Sequence, residues 1–229
     1  MKYGIIGAMD LETKLLIEAM EPVVKHEIAG MFFYEGHLSH ADAVVVTSGV
    51  GKVNASACAQ ILVTKFNVQA LINTGVSGAL HHDLEVGDIV ISTDCMEHDV
   101  DVTVFGYKYG VIPRLETSVF VADEDLVEKA YSAGLEEIKD HKVLKGRIVS
   151  GDQFVSSIEK KAFLLENFEA YTTEMEGAAI AHVAMINQIP FVIIRAMSDK
   201  ADGSAHVSFD EFAVEAAHHS SNMVINMLK

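Results

Sequence analysis

Phe191-Val192-Ile193-Ile194, between Pro190 and Arg195-Ala196, is an unbroken β-branched and aromatic run. Four consecutive apolar side chains point to both faces of a strand, which suits a sheet covered by helices on both sides. Outward from that run, short apolar stretches alternate with longer amphipathic ones. Lys2–Ala8, Gln69–Thr74, Asp88–Thr93, Val143–Ser150 and Pro190–Ala196 read as strands. Asp10–Met20, Lys52–Phe66, Asp123–Lys139, Ile158–Asn167, Glu176–Ile186 and Ser208–Leu228 read as helices, the first with Leu11, Leu15, Leu16 and Ala19 on one face. Glu27–Gly36 and His37–Ser48 read as a strand pair. The pattern predicts an α/β fold: a three-layer α/β/α sandwich with a mixed, largely parallel, twisted sheet. With no linker, repeat or low-complexity stretch, residues 1–229 are expected to form a single domain. The longest stretch without a clear element is Cys95–Ser118, and a loop of that length in a compact domain is usually functional.

Composition narrows the partners. Half of the 229 residues are apolar, enough for a sizeable core, and 33 acidic against 17 basic residues give a net charge of −16. Only three of the basic residues are arginines: Arg114, Arg147 and Arg195. So acidic a surface repels nucleic acid and anionic membrane. Cys58 and Cys95 are too few and too far apart for a disulfide framework or metal cassette, so two buried thiols in a reducing cytoplasm are expected. The opening Met1–Met9 run is short and soon meets Asp10 and Glu12, unlike a secretory signal. No apolar run approaches the roughly 20 residues that span a bilayer.

In open α/β sheets ligands bind beyond the carboxyl ends of the strands. Met9 and Glu12 follow the first strand, and Ser48-Gly49-Val50-Gly51-Lys52 follows Val44–Val46. Thr74-Gly75-Val76-Ser77-Gly78 follows Leu71–Asn73, and Ser150-Gly151-Asp152-Gln153-Phe154-Val155 follows Val149. Thr173-Glu174-Met175-Glu176-Gly177 follows Tyr171, and Arg195-Ala196-Met197-Ser198-Asp199 follows Ile194. Neither glycine stretch is a nucleotide fingerprint. Val46 and Val53 break the phosphate-loop pattern around Gly51-Lys52, and Gly75–Gly78 lacks GxGxxG spacing. Both are read as loops that let backbone approach a small ligand, or as plain tight turns.

Histidines give little support for a metal. His37 and His40 would face opposite sides of a strand, adjacent pairs such as His81-His82 do not readily share an ion, and Glu97-His98-Asp99 stands alone. They are read as solvated. The carboxylates say more. Glu12, Glu176 and Asp199 all sit at strand ends, and if the sheet sets those ends side by side, three acids share one pocket. A lone acid at a helix start is usually a cap. Two carboxylates around a glycosidic bond can divide the acid and base roles.

These residues resemble one family closely. Gly4-Ile5-Ile6-Gly7-Ala8-Met9 with Glu12, Ser48–Val53, Val102–Pro113, Ser150-Gly151-Asp152, Glu174-Met175-Glu176, Ser198-Asp199 and Ser208-Phe209 look like the 5′-methylthioadenosine/S-adenosylhomocysteine nucleosidases. The likeness runs from Met1 to the last helix, with the motifs in order. The wider family includes purine nucleoside phosphorylases, so the fold alone does not settle the reaction.

The resemblance implies a nucleoside phosphorylase-like sandwich acting as a cytoplasmic homodimer in methionine salvage, with no metal and no organic cofactor. It implies hydrolysis of the N-glycosidic bond of methylthioadenosine, S-adenosylhomocysteine and 5′-deoxyadenosine. Carried over, Glu12 activates water, and Asp199, beside Ser198, protonates adenine N7. Glu176 holds the ribose hydroxyls with Met175 beneath the sugar, and Glu174 is a further substrate-binding residue. Phe154 stacks on adenine and the Val155 backbone reads its edge. Met9, Val50 and Phe209 line the thioalkyl and ribose pocket. Val102, Phe105, Tyr107 and Pro113 are implied to reach in from a neighbouring subunit. Two departures stand out. The family's usual Gly-Ser-Ala-Gly-Gly is here Gly75-Val76-Ser77-Gly78-Ala79, so a serine contact shifts by one, to Ser77 beside Gly78. Leu11 also replaces a frequent acid.

Three alternatives remain on sequence grounds. A phosphorylase needs an anion pocket, typically arginine-rich, and no arginine is close in sequence to the glycine stretches. An aminodeoxyfutalosine nucleosidase shares the scaffold. A non-catalytic nucleoside sensor should lack one of the acids, yet Glu12, Glu176 and Asp199 are all present.

Overall fold

The computed structural model describes the backbone of residues 1–229 and the side chains of all but Val207. Strands are β1 (Lys2–Gly7), β2 (Met20–Ile28), β3 (Met31–Leu38), β4 (Ala41–Thr47), β5 (Ala70–Ala79), β6 (Ile89–Glu97), β7 (Phe120–Val121), β8 (Val143–Ser150), β9 (Thr172–Glu174) and β10 (Phe191–Asp199). Helices are α1 (Asp10–Glu18), α2 (Lys52–Phe66), α3 (Glu124–Glu137), α4 (Ile158–Phe168), α5 (Gly177–Asn187) and α6 (Ala205–Met227). All ten strands form one mixed sheet. Parallel pairing joins β4, β1, β5 and β10, and also β6, β8 and β9. Antiparallel pairing attaches the β2–β3 ribbon to β4, links β10 to β6, and links β9 to β5. Because β5 pairs with both β10 and β9, the sheet closes on itself there, and the strand ends around the closure converge.

The core explains the layers. Ile5, Ile6, Val44, Val45, Val46, Leu71, Ile72, Val192, Ile193 and Ile194 are all fully buried, as two-sided coverage requires. Helices α1, α3 and α6 pack together as one layer and α2 and α5 as another. Cys58 and Cys95 are free and buried, as expected. Among the described residues no helix is long and apolar enough to cross a membrane.

Several expected boundaries move. Met20 does not end a helix but opens β2, a mostly exposed strand at one end of the sheet's strand order. The expected strand Glu27–Gly36 is broken at Ala29 and Gly30, whose φ of 54° and 77° make them a hairpin turn. The expected second strand, His37–Ser48, is broken likewise at the positive-φ Ser39. Thr74–Gly78 is not a loop. It continues β5 to Ala79, because β10 extends to Asp199 beside it. Cys95–Ser118 holds the end of β6 and a single 3-10 turn at Thr103–Phe105.

Candidate active site

A cavity of about 380 Å³ opens at the C-terminal ends of β1, β4, β5, β8, β9 and β10. Its walls include Met9, Glu12, Val50, Ser77, Gly78, Phe154, Val155, Glu174, Met175, Glu176, Ser198, Asp199 and Phe209. Residues from positions 9 to 209 thus meet in one place, because parallel strands deliver their following loops to the same edge.

Glu12 is almost wholly buried at the start of α1. Its Oε2 accepts N–H bonds from Ala8 (2.7 Å) and Met9 (3.0 Å), and Oε1 accepts one from Val76 on β5 (2.9 Å). It is therefore a helix cap and a cavity wall at once. Burial pushes its pKa up, while the charge of Arg195 and these three donors oppose the shift. Glu176 precedes α5, and its Oε1 accepts from Gly51 N (2.7 Å), whose φ of 96° turns the amide toward it. Burial and the neighbouring Glu174 charge raise its pKa to about 7. Asp199 accepts from Ala201 N (2.8 Å) and from Ser198 Oγ (2.9 Å), and burial raises its pKa also.

Behind these acids lies Arg195, fully buried on β10. Its Nη2 donates to Glu174 Oε2 and to Asn73 Oδ1 (2.5 Å), and stands 3.8 Å from Glu176 Oε2. Ser150 Oγ donates to Glu174 Oε1, and Glu174 Oε2 also accepts from the N–H groups of Glu176 (3.0 Å) and Gly177 (2.8 Å). Gly75 is the register partner of Arg195, and a Cβ there would collide with the Glu12 carboxyl and the Arg195 guanidinium. A charged group on a doubly covered strand must be paired, and this one faces three carboxylates.

On the far wall, the Phe154 ring stands edge-on to Phe209, centroids 5.9 Å apart. The loops are fastened by Lys52, whose ammonium bridges Glu97 (2.8 Å) and Asp99 (2.7 Å), while Asp152 accepts from Lys52 N (2.8 Å). Glu97 and Asp99 are thus engaged with a lysine. His98 between them is buried rather than solvated, both ring nitrogens unpartnered, and burial lowers its pKa to about 4. His81, His82 and Asp83 do bring ligand atoms within 4.8 Å of one another, on a largely exposed turn.

The phosphorylase superfamily model matches residues 2–229. A 5′-methylthioadenosine/S-adenosylhomocysteine nucleosidase from Bacillus pumilus is 44% identical over 230 residues, all of this chain and 99% of that protein. The chain belongs to this nucleosidase family within the phosphorylase superfamily. The crystal structure of the Neisseria meningitidis nucleosidase in complex with methylthio-immucillin-A superposes with a TM-score of 0.95 at 43% identity, covering 100% of this chain and 98% of that one. A futalosine hydrolase of Helicobacter pylori gives 0.94 at 32% identity, covering 99% and 97%.

Val102, Phe105, Tyr107 and Pro113 are not brought to the cavity. Phe105 and Tyr107 are exposed, and Val102 and Pro113 half-buried. Arginine is not remote from the glycine stretches: strand pairing sets Arg195 against Gly75, 120 residues away in the chain. Val76, Ser150, Gln153 and Thr173 lie in the strand-end stretches but carry no role of their own there, and Asn73, His206 and Asp210 are not singled out by sequence; these residues hold the acids or line the walls. A signal existed for Arg195, a lone charge inside Phe191–Met197, and for Asn73 in an apolar strand.

Proposed function

We propose that this chain hydrolyses the N-glycosidic bond of 5′-thioadenosines, releasing adenine and a 5-thioribose. One observation carries this reading: three buried carboxyl groups from distant strand ends, all with raised pKa, wall one cavity that also offers an aromatic face. Adenine is a poor anionic leaving group, so a proton must reach N7 as C1′–N9 breaks. Asp199, whose hold on a proton is strengthened by burial, supplies it, with Ser198 and the Ala201 N–H fixing the carboxyl. Glu12 accepts a proton from water as the water oxygen bonds to C1′. Glu12, Glu174 and Glu176 together stabilise the oxocarbenium-like charge. Glu176 binds the ribose hydroxyls above Met175, with Ser77 and Gly78 on the floor. Phe154 stacks on the base, the Val155 backbone reads its edge, and Met9, Val50 and Phe209 enclose the 5′-substituent.

The Arg195 pairing argues against phosphorolysis. Its Nη2 is committed to Glu174 and Asn73, and the surrounding carboxylates repel an anion. Adenine release from methylthioadenosine in phosphate-free buffer is the deciding measurement. Full turnover there is expected, and a strict phosphate requirement would overturn hydrolysis. Running S-adenosylhomocysteine, 5′-deoxyadenosine and aminodeoxyfutalosine alongside ranks the substrates, since the 5′-substituent is read by shape.

Residues 1–229 work as one cytoplasmic domain in methionine salvage, without metal or organic cofactor, and pair as a homodimer. Support for the dimer comes from Phe105, 77% exposed, with Tyr107 and Val104 nearby in sequence and Val53 beside the cavity loop. Apolar side chains so exposed fit an interface. Val102, Phe105, Tyr107 and Pro113 of one subunit close the thioalkyl end of the other's cavity. Phe105→Ser with Tyr107→Ser should weaken dimerisation and raise KM for thioalkyl substrates together. A fully active monomer in sedimentation run beside kinetics would end the shared-site idea.

A further inference from the structure

Regular pairing between β5 and β10 breaks at the site of chemistry. The register slips between Met197 and Asp199, with Asp199 opposite Gly78. A bulge of this kind re-aims a side chain at the cost of ladder hydrogen bonds. One peptide beyond each partner of that pair, the carbonyls of Ala79 and Lys200 are both taken by a single side chain. Lys161 on α4 donates from Nζ to Ala79 O (2.9 Å) and to Lys200 O (2.6 Å). No sequence motif or role in the reaction above accounts for this lysine. Its ammonium is part-buried, and an apolar side chain in its place would leave both carbonyls without this donor.

The surrounding charges sharpen the reading. Asp199 and Asp202 attract the Lys161 ammonium and Lys200 repels it, while the Lys200 ammonium is drawn away to Glu85 at 2.5 Å. Around Asp199 itself stand the Ser198 hydroxyl, the Ala201 N–H, Asp202 and Lys161. Lys161 is therefore the cation that acts on Asp199 from the element packed over the strand ends.

We infer that Lys161 is a positioning residue for Asp199: its ammonium fastens the ends of β5 and β10 across the bulge and keeps the carboxyl aimed into the cavity. The inference rests on Asp199 being the acid of the nucleosidase reaction. Two consequences differ from those of a purely structural lysine. Loosening the acid costs turnover more than substrate affinity, because misplacement by about an ångström can cost up to about 100-fold. The positive charge also favours the ionised carboxyl, so its removal moves the ionisation of Asp199 to higher pH. Asp199 acts protonated, and the basic limb of kcat against pH should move up with it.

The experiment is adenine release by Lys161→Met and Lys161→Arg across pH 5 to 10, with melting temperatures measured in parallel. Lys161→Met is expected to lose about 10-fold or more in kcat, with KM changed by less than about 3-fold and a basic limb displaced upward. Lys161→Arg, which keeps the charge, should hold the basic limb at the parental pH. Should the methionine variant not fold, Lys161→Gln, which keeps a donor and loses the charge, gives the same pH readout. The parent's own adenine release tests the nucleosidase reading separately. On an active parent, an unaltered basic limb and kcat in the uncharged variant overturn this inference alone.

Discussion

Adenine release should fall by at least about 100-fold in Glu12→Gln and likewise in Asp199→Asn, the loss expected for a positioned proton acceptor or donor. The two variants differ in what else they disturb. Asparagine at 199 can keep its oxygen toward Ala201 N–H and turn its amide to the Ser198 hydroxyl, so every bond now made has a successor. Its melting temperature should match the parent's. Glutamine at 12 cannot do this. Both oxygens of Glu12 accept N–H bonds, so one amide hydrogen must face Val76 or the Ala8–Met9 pair. That donor clash costs about 1–3 kcal/mol, partly offset because a buried charge is removed. The variant should still fold, since domains of this size carry about 5–15 kcal/mol. The pH profiles then separate the roles. In the parent, activity should fall as pH rises through the raised pKa of Asp199, and this limb should vanish in Asp199→Asn. Parental turnover in either variant would remove that residue from the mechanism.

How much of this could be read from the chain depends on what each feature requires. Lys52–Phe66 and Val143–Ser150 have the same limits in sequence and structure, because apolar period and flanking residues agree there. The edge strand β2 escaped notice because Glu21-Pro22-Val23-Val24-Lys25 is largely exposed, so neither face carries an apolar stripe. Strand-end logic brought Glu12, Glu176 and Asp199 together without a structure, since in a parallel sheet those ends share one edge by topology. What it could not supply was register. The pairing of Arg195 with Gly75 and the clamp of Lys161 on Ala79 and Lys200 depend on which residues lie opposite each other, and a single chain does not print that. His98 shows the converse difficulty: amid Glu97 and Asp99 its surroundings read as solvated, yet packing against Gly151 buries it.

Arg195→Met should be the most destabilising single change, and its cost should depend on pH. Removing one member of a buried ionic group typically costs about 3–5 kcal/mol, because its partners stay behind as uncompensated charge. Here the partners are Glu174, Glu176 and Glu12. With the guanidinium gone, burial and mutual repulsion raise the pKa of Glu12 and Glu176 further above the ordinary glutamate value. A carboxyl whose folded pKa is raised contributes stability at low pH and loses it as pH climbs through the folded value. For Glu176 that value is about 7 even with Arg195 present. Urea unfolding should therefore find the variant's deficit smaller at pH 5.5, where the carboxyls can take up protons, and larger at pH 8, where they must stay ionised or protonate at a cost. A lysine in place of the arginine keeps the charge but offers one ammonium for the planar fork, so Arg195→Lys should recover part of the pH 8 stability. A deficit below about 1 kcal/mol, or one equal at both pH values, would mean that the arginine is not what neutralises the acids. The same group would then have to tolerate three like charges at the floor of the cavity, which the geometry of Gly75, pressed between Glu12 and Arg195, leaves no room to relieve.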